Sequence, residues 1–103
     1  MEVLGENKFV DNENRVTCEV TISNRNGLHA RPAAMFVKIS SRYRAELWVQ
    51  KDEERVNGKS IMGLMMLAAG KGSKLILTAE GADDAPKVIE DIRRLVESGF
   101  DEE

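Results

Sequence analysis

The segment Asn26-Gly27-Leu28-His29-Ala30-Arg31-Pro32-Ala33 sets the chain's single histidine two positions ahead of an arginine and three ahead of a proline. A helix beginning just after His29 would place this residue at or near its N-cap. There, unpaired backbone N–H groups and a partial positive charge stabilise an anion. Arg31 adds a fixed cation within reach of the same spot. Pro32 falls in the first turn, where its missing N–H costs nothing. A neutral imidazole is a nucleophile toward phosphorus, and imidazole titrates near physiological pH. Once phosphorylated, the ring would face backbone donors and a guanidinium, which suits a phosphohistidine that is made and given away rather than a hydrolytic site. The plainer alternative is that His29 caps the helix and Arg31 is a solvated charge. A metal site is not expected, because there is no second histidine and the only cysteine is Cys18.

Composition limits what could surround such a histidine. A chain of 103 residues with 42% apolar and 32% charged residues fits one domain, with little room to enclose a substrate. Aromatics are only 5%, so the core must be aliphatic. No apolar run approaches the roughly 18 residues of a membrane span, so no direct membrane contact is expected. The opening MEVLGENKFVDNEN lacks the basic-then-apolar order of a secretory signal. One cysteine excludes an internal disulfide, and a reducing, cytoplasmic setting is expected. The net charge of −3 argues against nucleic acid as the main partner. Yet from Arg25 to Arg44 there are five basic residues (Arg25, Arg31, Lys38, Arg42, Arg44) and no acidic one, while the chain ends Asp101, Glu102, Glu103. Such a local basic patch fits docking to acidic protein surfaces or holding a phosphate.

The elements that would position His29 follow from periodicity. Residues 1–14 are polar and are expected to be a poorly ordered extension or a short strand, with the domain proper at 15–103. Val16 to Ile22 alternates, with Cys18, Val20 and Ile22 on one face. Ala30 to about Tyr43 is helical, with Ala33, Phe36, Val37 and Ser40 on one stripe. Ala45 to Lys51 alternates with Leu47 and Val49 inward, and Glu54 to Asn57 pairs back across an Asp52-Glu53 turn. Ser60 to Ala69 reads as a short helix, with Ser60 as N-cap and Gly70 as C-terminal stop. Lys74 to Glu80 is a strand. The last helix carries the stripe Ala85, Val88, Ile89, Ile92, Leu95 and Val96, with Asp84 as its cap and Gly99 at its end. The order β-α-β-β-α-β-α, with strands that need only one buried face, gives a two-layer α+β sandwich with three helices on one face of a single sheet.

GLHARPA at Gly27 to Ala33 resembles the active-site signature of HPr, the histidine-containing phosphocarrier of the phosphoenolpyruvate-dependent sugar phosphotransferase system. Val56-Asn57-Gly58-Lys59-Ser60-Ile61-Met62-Gly63-Leu64-Met65 is similar to that family's second block, and the resemblance covers roughly Val16 to Phe100. It implies an open-faced β-sandwich with a four-stranded antiparallel sheet of order 1-4-2-3. It further implies that His29 takes a phosphoryl group from phosphorylated Enzyme I, on Nδ1, and passes it to enzyme IIA domains. Arg31 would steady the phosphate and Pro32 would shape the first turn. The chain would then be a stoichiometric carrier rather than a self-sufficient enzyme, without a cofactor, and a monomer.

In that family the serine that Ser60 matches can be phosphorylated by HPr kinase/phosphorylase, so the resemblance implies a regulatory site at Ser60. Gly58 departs from the apolar residue often found there in Gram-positive members. By the same resemblance, Ile61, Met62 and Met65 form the apolar centre of a docking face rimmed by Arg31, Lys38, Arg42 and Lys59; methionine suits a surface that meets several partners. Two other readings are carried. The ending Ser98-Gly99-Phe100-Asp101-Glu102 resembles the nitrogen-related paralogue, which relays phosphate for regulation. A non-catalytic interaction domain would leave His29 idle. Trp48, at an outward strand position, has no role in any of these readings.

Overall fold

The computed structural model describes residues 2–5, 8–12 and 14–102, with side chains from Asn14 onward. Residues 1, 6, 7, 13 and 103 lie outside this set, and with them parts of the expected N-terminal extension and the last of the three terminal acids. The strands are β1 (Glu2–Gly5), β2 (Lys8–Asn12), β3 (Arg15–Thr21), β4 (Glu46–Lys51), β5 (Glu54–Asn57) and β6 (Lys74–Glu80). The helices are α1 (Ala30–Ser40), α2 (Ile61–Met66) and α3 (Ala85–Glu97). The sheet runs in the order β1-β2-β3-β6-β4-β5 with every pairing antiparallel. Its last four strands are the expected 1-4-2-3 arrangement. The segment read as a loose extension or short strand supplies two strands here: β2 pairs on the free edge of β3, Phe9 opposite Thr17, and β1 pairs on β2.

Alternation in the strands builds one buried face. Val16, Cys18 and Val20 of β3, Leu47 and Val49 of β4, and Leu75, Leu77 and Ala79 of β6 are all buried. Against that face α3 lays its whole stripe, Ala85, Val88, Ile89, Ile92, Leu95 and Val96, and α1 adds Ala33 and Phe36. Each fully buried Leu, Ile or Phe contributes about 1.5–3 kcal/mol relative to exposure, so this aliphatic layer supplies most of what orders the helices. On the opposite face Trp48 donates its indole N–H to Glu80 at 3.2 Å, and the Arg55 guanidinium lies 4.4 Å above its ring.

The connections explain how the chain manages turns that its sequence leaves ambiguous. The β4–β5 hairpin closes through Asp52 and Glu53 without glycine, because Asp52 takes a left-handed φ of 54° and Gln50 donates to its carbonyl at 2.9 Å. Aspartate tolerates that region better than most side chains. Asp84 does not cap α3 with its side chain as expected; its carboxylate accepts the N–H groups of Arg44 at 2.8 Å and Ala45 at 2.9 Å. Those two donors hold its carboxyl below the ordinary range, and they fasten the α1–β4 loop to the start of α3. Tyr43 bonds to Asp91 of α3, which raises the phenol's affinity for its proton. Among the described residues no helix is long and apolar enough to cross a membrane.

Candidate functional site

Helix α1 starts where the sequence suggests. His29 is its N-cap, with extended backbone (φ −82°, ψ −169°), and its carbonyl accepts the N–H of Ala33 at 2.9 Å. Pro32 brings no N–H to the end of the helix, so Ala30 and Arg31 carry the amides left open there among the described residues. The imidazole makes no capping bond to this end, and its side chain is 39% exposed.

The loop before it is fixed to the end of α2. Leu28 N–H donates to Ala69 O at 2.8 Å. Gly27 has φ +67°, and a Cβ there would lie 2.3 Å from the same carbonyl oxygen, so only glycine permits this approach. Helix α2 ends three residues sooner than expected. Ala68, not Gly70, makes the left-handed turn, with φ 51°. The Lys51 ammonium donates to the carbonyls of Leu67 at 3.2 Å and Ala68 at 3.4 Å, supplying the cation that a helix C-terminus favours.

The reaching side chains divide around His29. With Asn26, Leu28, Met65, Ala68, Ala69 and Gly70 it lines one shallow depression, which sets Met65 beside the imidazole. Ile61, Met62 and Met65 are exposed, Met62 to 74%, whereas Leu64 and Leu67 are buried. Met66, the last residue of α2, is exposed as well, to 67%. Arg31 is exposed and forms no ion pair among the described residues; it lines a second depression with Arg25, Met35, Phe100, Asp101 and Glu102.

Lys38 is exposed near the far end of α1, and Arg42 lies beyond it in a separate hollow with Asp91, Arg94 and Asp101. The Lys59 ammonium is already engaged, donating to Tyr43 O at 2.8 Å. Ser60 is the N-cap of α2, and its hydroxyl accepts Gly63 N–H at 3.0 Å. Gly58, the departure noted in the sequence, occupies a place with no room for a side chain. A Cβ would meet Leu47 Cγ at 2.8 Å, and the Gly58 carbonyl takes the hydroxyl of buried Ser40 at 2.8 Å.

Two residues at the site escape sequence reasoning altogether. Glu102 Oε2 lies 3.2 Å and Oε1 3.5 Å from His29 Nε2. Asn24, 3% exposed, donates through Nδ2 to Glu102 Oε1 at 2.9 Å and to Gly27 O at 2.8 Å. Nothing in an acidic tail or a loop asparagine announces this, since it depends on where the chain returns after α3. Among the described residues no cluster of three or more His, Cys, Asp or Glu could hold a metal ion.

The family model described as the PTS HPr component phosphorylation site matches residues 16–98. The chain belongs to the HPr family. Its similarity to the HPr phosphocarrier of Treponema pallidum is 46% identity over 84 residues, covering 82% of this chain and 94% of that protein. A crystal structure of HPr from Thermoanaerobacter tengcongensis superposes with a TM-score of 0.80 at 45% identity, over 84% of this chain and 97% of the other. HPr from that organism has also been solved as a dimer, at TM-score 0.67 and 47% identity, over 81% of this chain and 97% of that one. The HPr match begins at Val16, so β1 and β2 lie before it.

Proposed function

We propose that this HPr-family protein carries a phosphoryl group on His29, taking it from phosphorylated Enzyme I and giving it to enzyme IIA domains. The observation that carries this reading is a part-exposed imidazole at the N-cap of α1, two residues before an exposed Arg31 that forms no ion pair among the described residues, with an exposed methionine-rich helix tied to the same loop. His29 Nδ1 attacks phosphorus, the bond from phosphorus to the donor breaks as the N–P bond forms, and the acceptor reverses the step. The Ala30 and Arg31 amides and the Arg31 guanidinium neutralise the phosphoryl oxygens, and Pro32 keeps the first turn in shape. Because donor and acceptor are both proteins, each can close the site with its own surface, and the carrier needs neither an enclosed pocket nor a cofactor.

Docking uses Ile61, Met62 and Met65 as the apolar centre with Arg31, Lys38 and Arg42 at the rim; Lys59, tied to Tyr43, contributes charge rather than reach. Residues 15–103 form the carrier domain, which acts in the cytoplasm as a monomer. Ser60 is a second, regulatory acceptor for an HPr kinase/phosphorylase: a phosphate there places about two negative charges on the face that acidic partners approach. The tail around Phe100 and Glu102, which folds onto His29, favours the regulatory nitrogen branch as the second reading.

Incubation with phosphoenolpyruvate and a cognate Enzyme I should give an acid-labile, alkali-stable phosphate that disappears in His29→Ala. An unlabelled wild type, or label that survives in His29→Ala, ends the carrier reading. An ATP-dependent, acid-stable phosphate lost in Ser60→Ala tests the regulatory site. The IIA domains that accept the phosphate decide between uptake and nitrogen regulation.

A further inference from the structure

We infer that Glu102, oriented by Asn24, is a positioning residue that holds the His29 proton on Nε2 and so leaves Nδ1 as the attacking nitrogen. The inference deepens the carrier reading and rests on it for the identity of the reacting atom.

A carboxylate can only accept hydrogen bonds. With Glu102 Oε2 at 3.2 Å, the neutral imidazole must therefore donate from Nε2 to complete the contact. Its lone pair is then on Nδ1, which has no partner among the described residues. A carboxylate on one imidazole nitrogen thereby selects the tautomer and ring orientation in which the other nitrogen is nucleophilic.

The carboxylate itself is not adrift. Asn24 Nδ2 bonds both Gly27 O at 2.8 Å and Glu102 Oε1 at 2.9 Å. Both partners are acceptors, so the amide nitrogen must face them and the orientation of Asn24 is unambiguous. Asn24 Oδ1 is left buried without a hydrogen bond, a cost accepted to keep that orientation.

The backbone makes the same point. Gly99, Phe100 and Asp101 take successive left-handed φ values of 69°, 58° and 57°. For non-glycine residues this conformation is unfavourable by about 1–2 kcal/mol each. Phe100, 1% exposed, anchors the turn, with its N–H on Leu95 O at 3.0 Å, and Glu102 N–H returns to Gly99 O at 3.0 Å. The product of this turn is a carboxylate delivered to the imidazole.

Asn24 also makes the test asymmetric. In Glu102→Gln the amide oxygen satisfies Asn24 Nδ2, which turns the new NH2 group toward His29. An NH2 group can only donate, so it favours a lone pair on Nε2 and the proton on Nδ1. Glu102→Ala removes the contact without imposing the opposite one.

Protein labelled with 15N-histidine reads the two nitrogens separately at a pH where the ring is neutral, and transfer from phosphorylated Enzyme I reads the rate. The wild type should show the proton on Nε2. Glu102→Ala should relax toward the distribution of a free imidazole, with transfer about threefold slower. Glu102→Gln should move the proton toward Nδ1, with transfer about tenfold slower. A merely structural tail would not reverse a tautomer. The inference is overturned by a proton on Nδ1 in the wild type, or by spectra unchanged in both variants. A wild type that takes no phosphate at all would instead remove the carrier reading, and the nitrogen spectra would still decide the role of Glu102.

Discussion

Leu28 and Ala69 are joined by one backbone hydrogen bond of 2.8 Å, and it ties the segment bearing His29 to the end of the helix that bears the exposed methionines. His29 and the exposed methionines therefore sit in a fixed relation, as the proposed carrier and docking roles require. Gly27→Ala attacks this joint, since its Cβ would lie 2.3 Å from Ala69 O at a left-handed φ. We expect a loss of about 2–4 kcal/mol in stability, measured by urea denaturation, together with slower phosphorylation of the remaining folded protein.

Arg31 is exposed and unpaired among the described residues, so its removal should leave the fold alone and weaken only the chemistry. Charge-assisted hydrogen bonds contribute about 1.5–3 kcal/mol. Arg31→Ala should therefore slow phosphoryl transfer to His29 by about tenfold or more with an unchanged melting temperature, and Arg31→Lys should recover part of the rate. Equal rates in all three proteins would remove Arg31 from the site.

Met62, 74% exposed, tests the docking face in the same spirit. Met62→Glu places an anion at the centre of a surface proposed to meet acidic partners. The KM for this protein as a substrate of Enzyme I should rise about tenfold, while stability moves by less than about 0.5 kcal/mol. A change confined to kcat would place docking elsewhere.

Asp84 gives a prediction for pH. Its carboxyl titrates below its ordinary value of 3.8, chiefly because Arg44 N–H, and then Ala45 N–H, donate to the carboxylate. The folded state therefore binds this proton less readily than the unfolded chain. The stabilisation is complete above the ordinary value and is lost as the pH falls through the lowered one. Asp84→Ala should reduce stability by about 1–3 kcal/mol at neutral pH and flatten the acid limb of the stability profile below pH 3.8, as followed by denaturation at several pH values.

Local patterns in the sequence carry most of the fold. The α3 stripe and the alternation of β3, β4 and β6 depend on periods that one face of water imposes, and every residue of that stripe is buried. The N-cap positions of His29 and Ser60 were legible for the same reason, since both sit at a boundary of pattern. What stayed hidden depends on long-range contact. Lys51 rather than Gly70 finishes α2, Asp84 serves the loop before β4 rather than its own helix, and β2 pairs with an edge that no periodicity reveals. Glu102 belongs with these: 73 positions separate it from His29, and only the turn after α3 brings them together.

Trp48 is the chain's only tryptophan, and it is on the sheet face turned away from the helices, clasped between Arg55 and Glu80. The molecule thus holds a built-in optical reporter insulated from its own traffic. Its emission should follow unfolding of the sheet yet stay silent when a partner lands on α1 and α2. Titrations of fold and of occupancy can then run in one cuvette, with the first read from Trp48 and the second from a label on the partner.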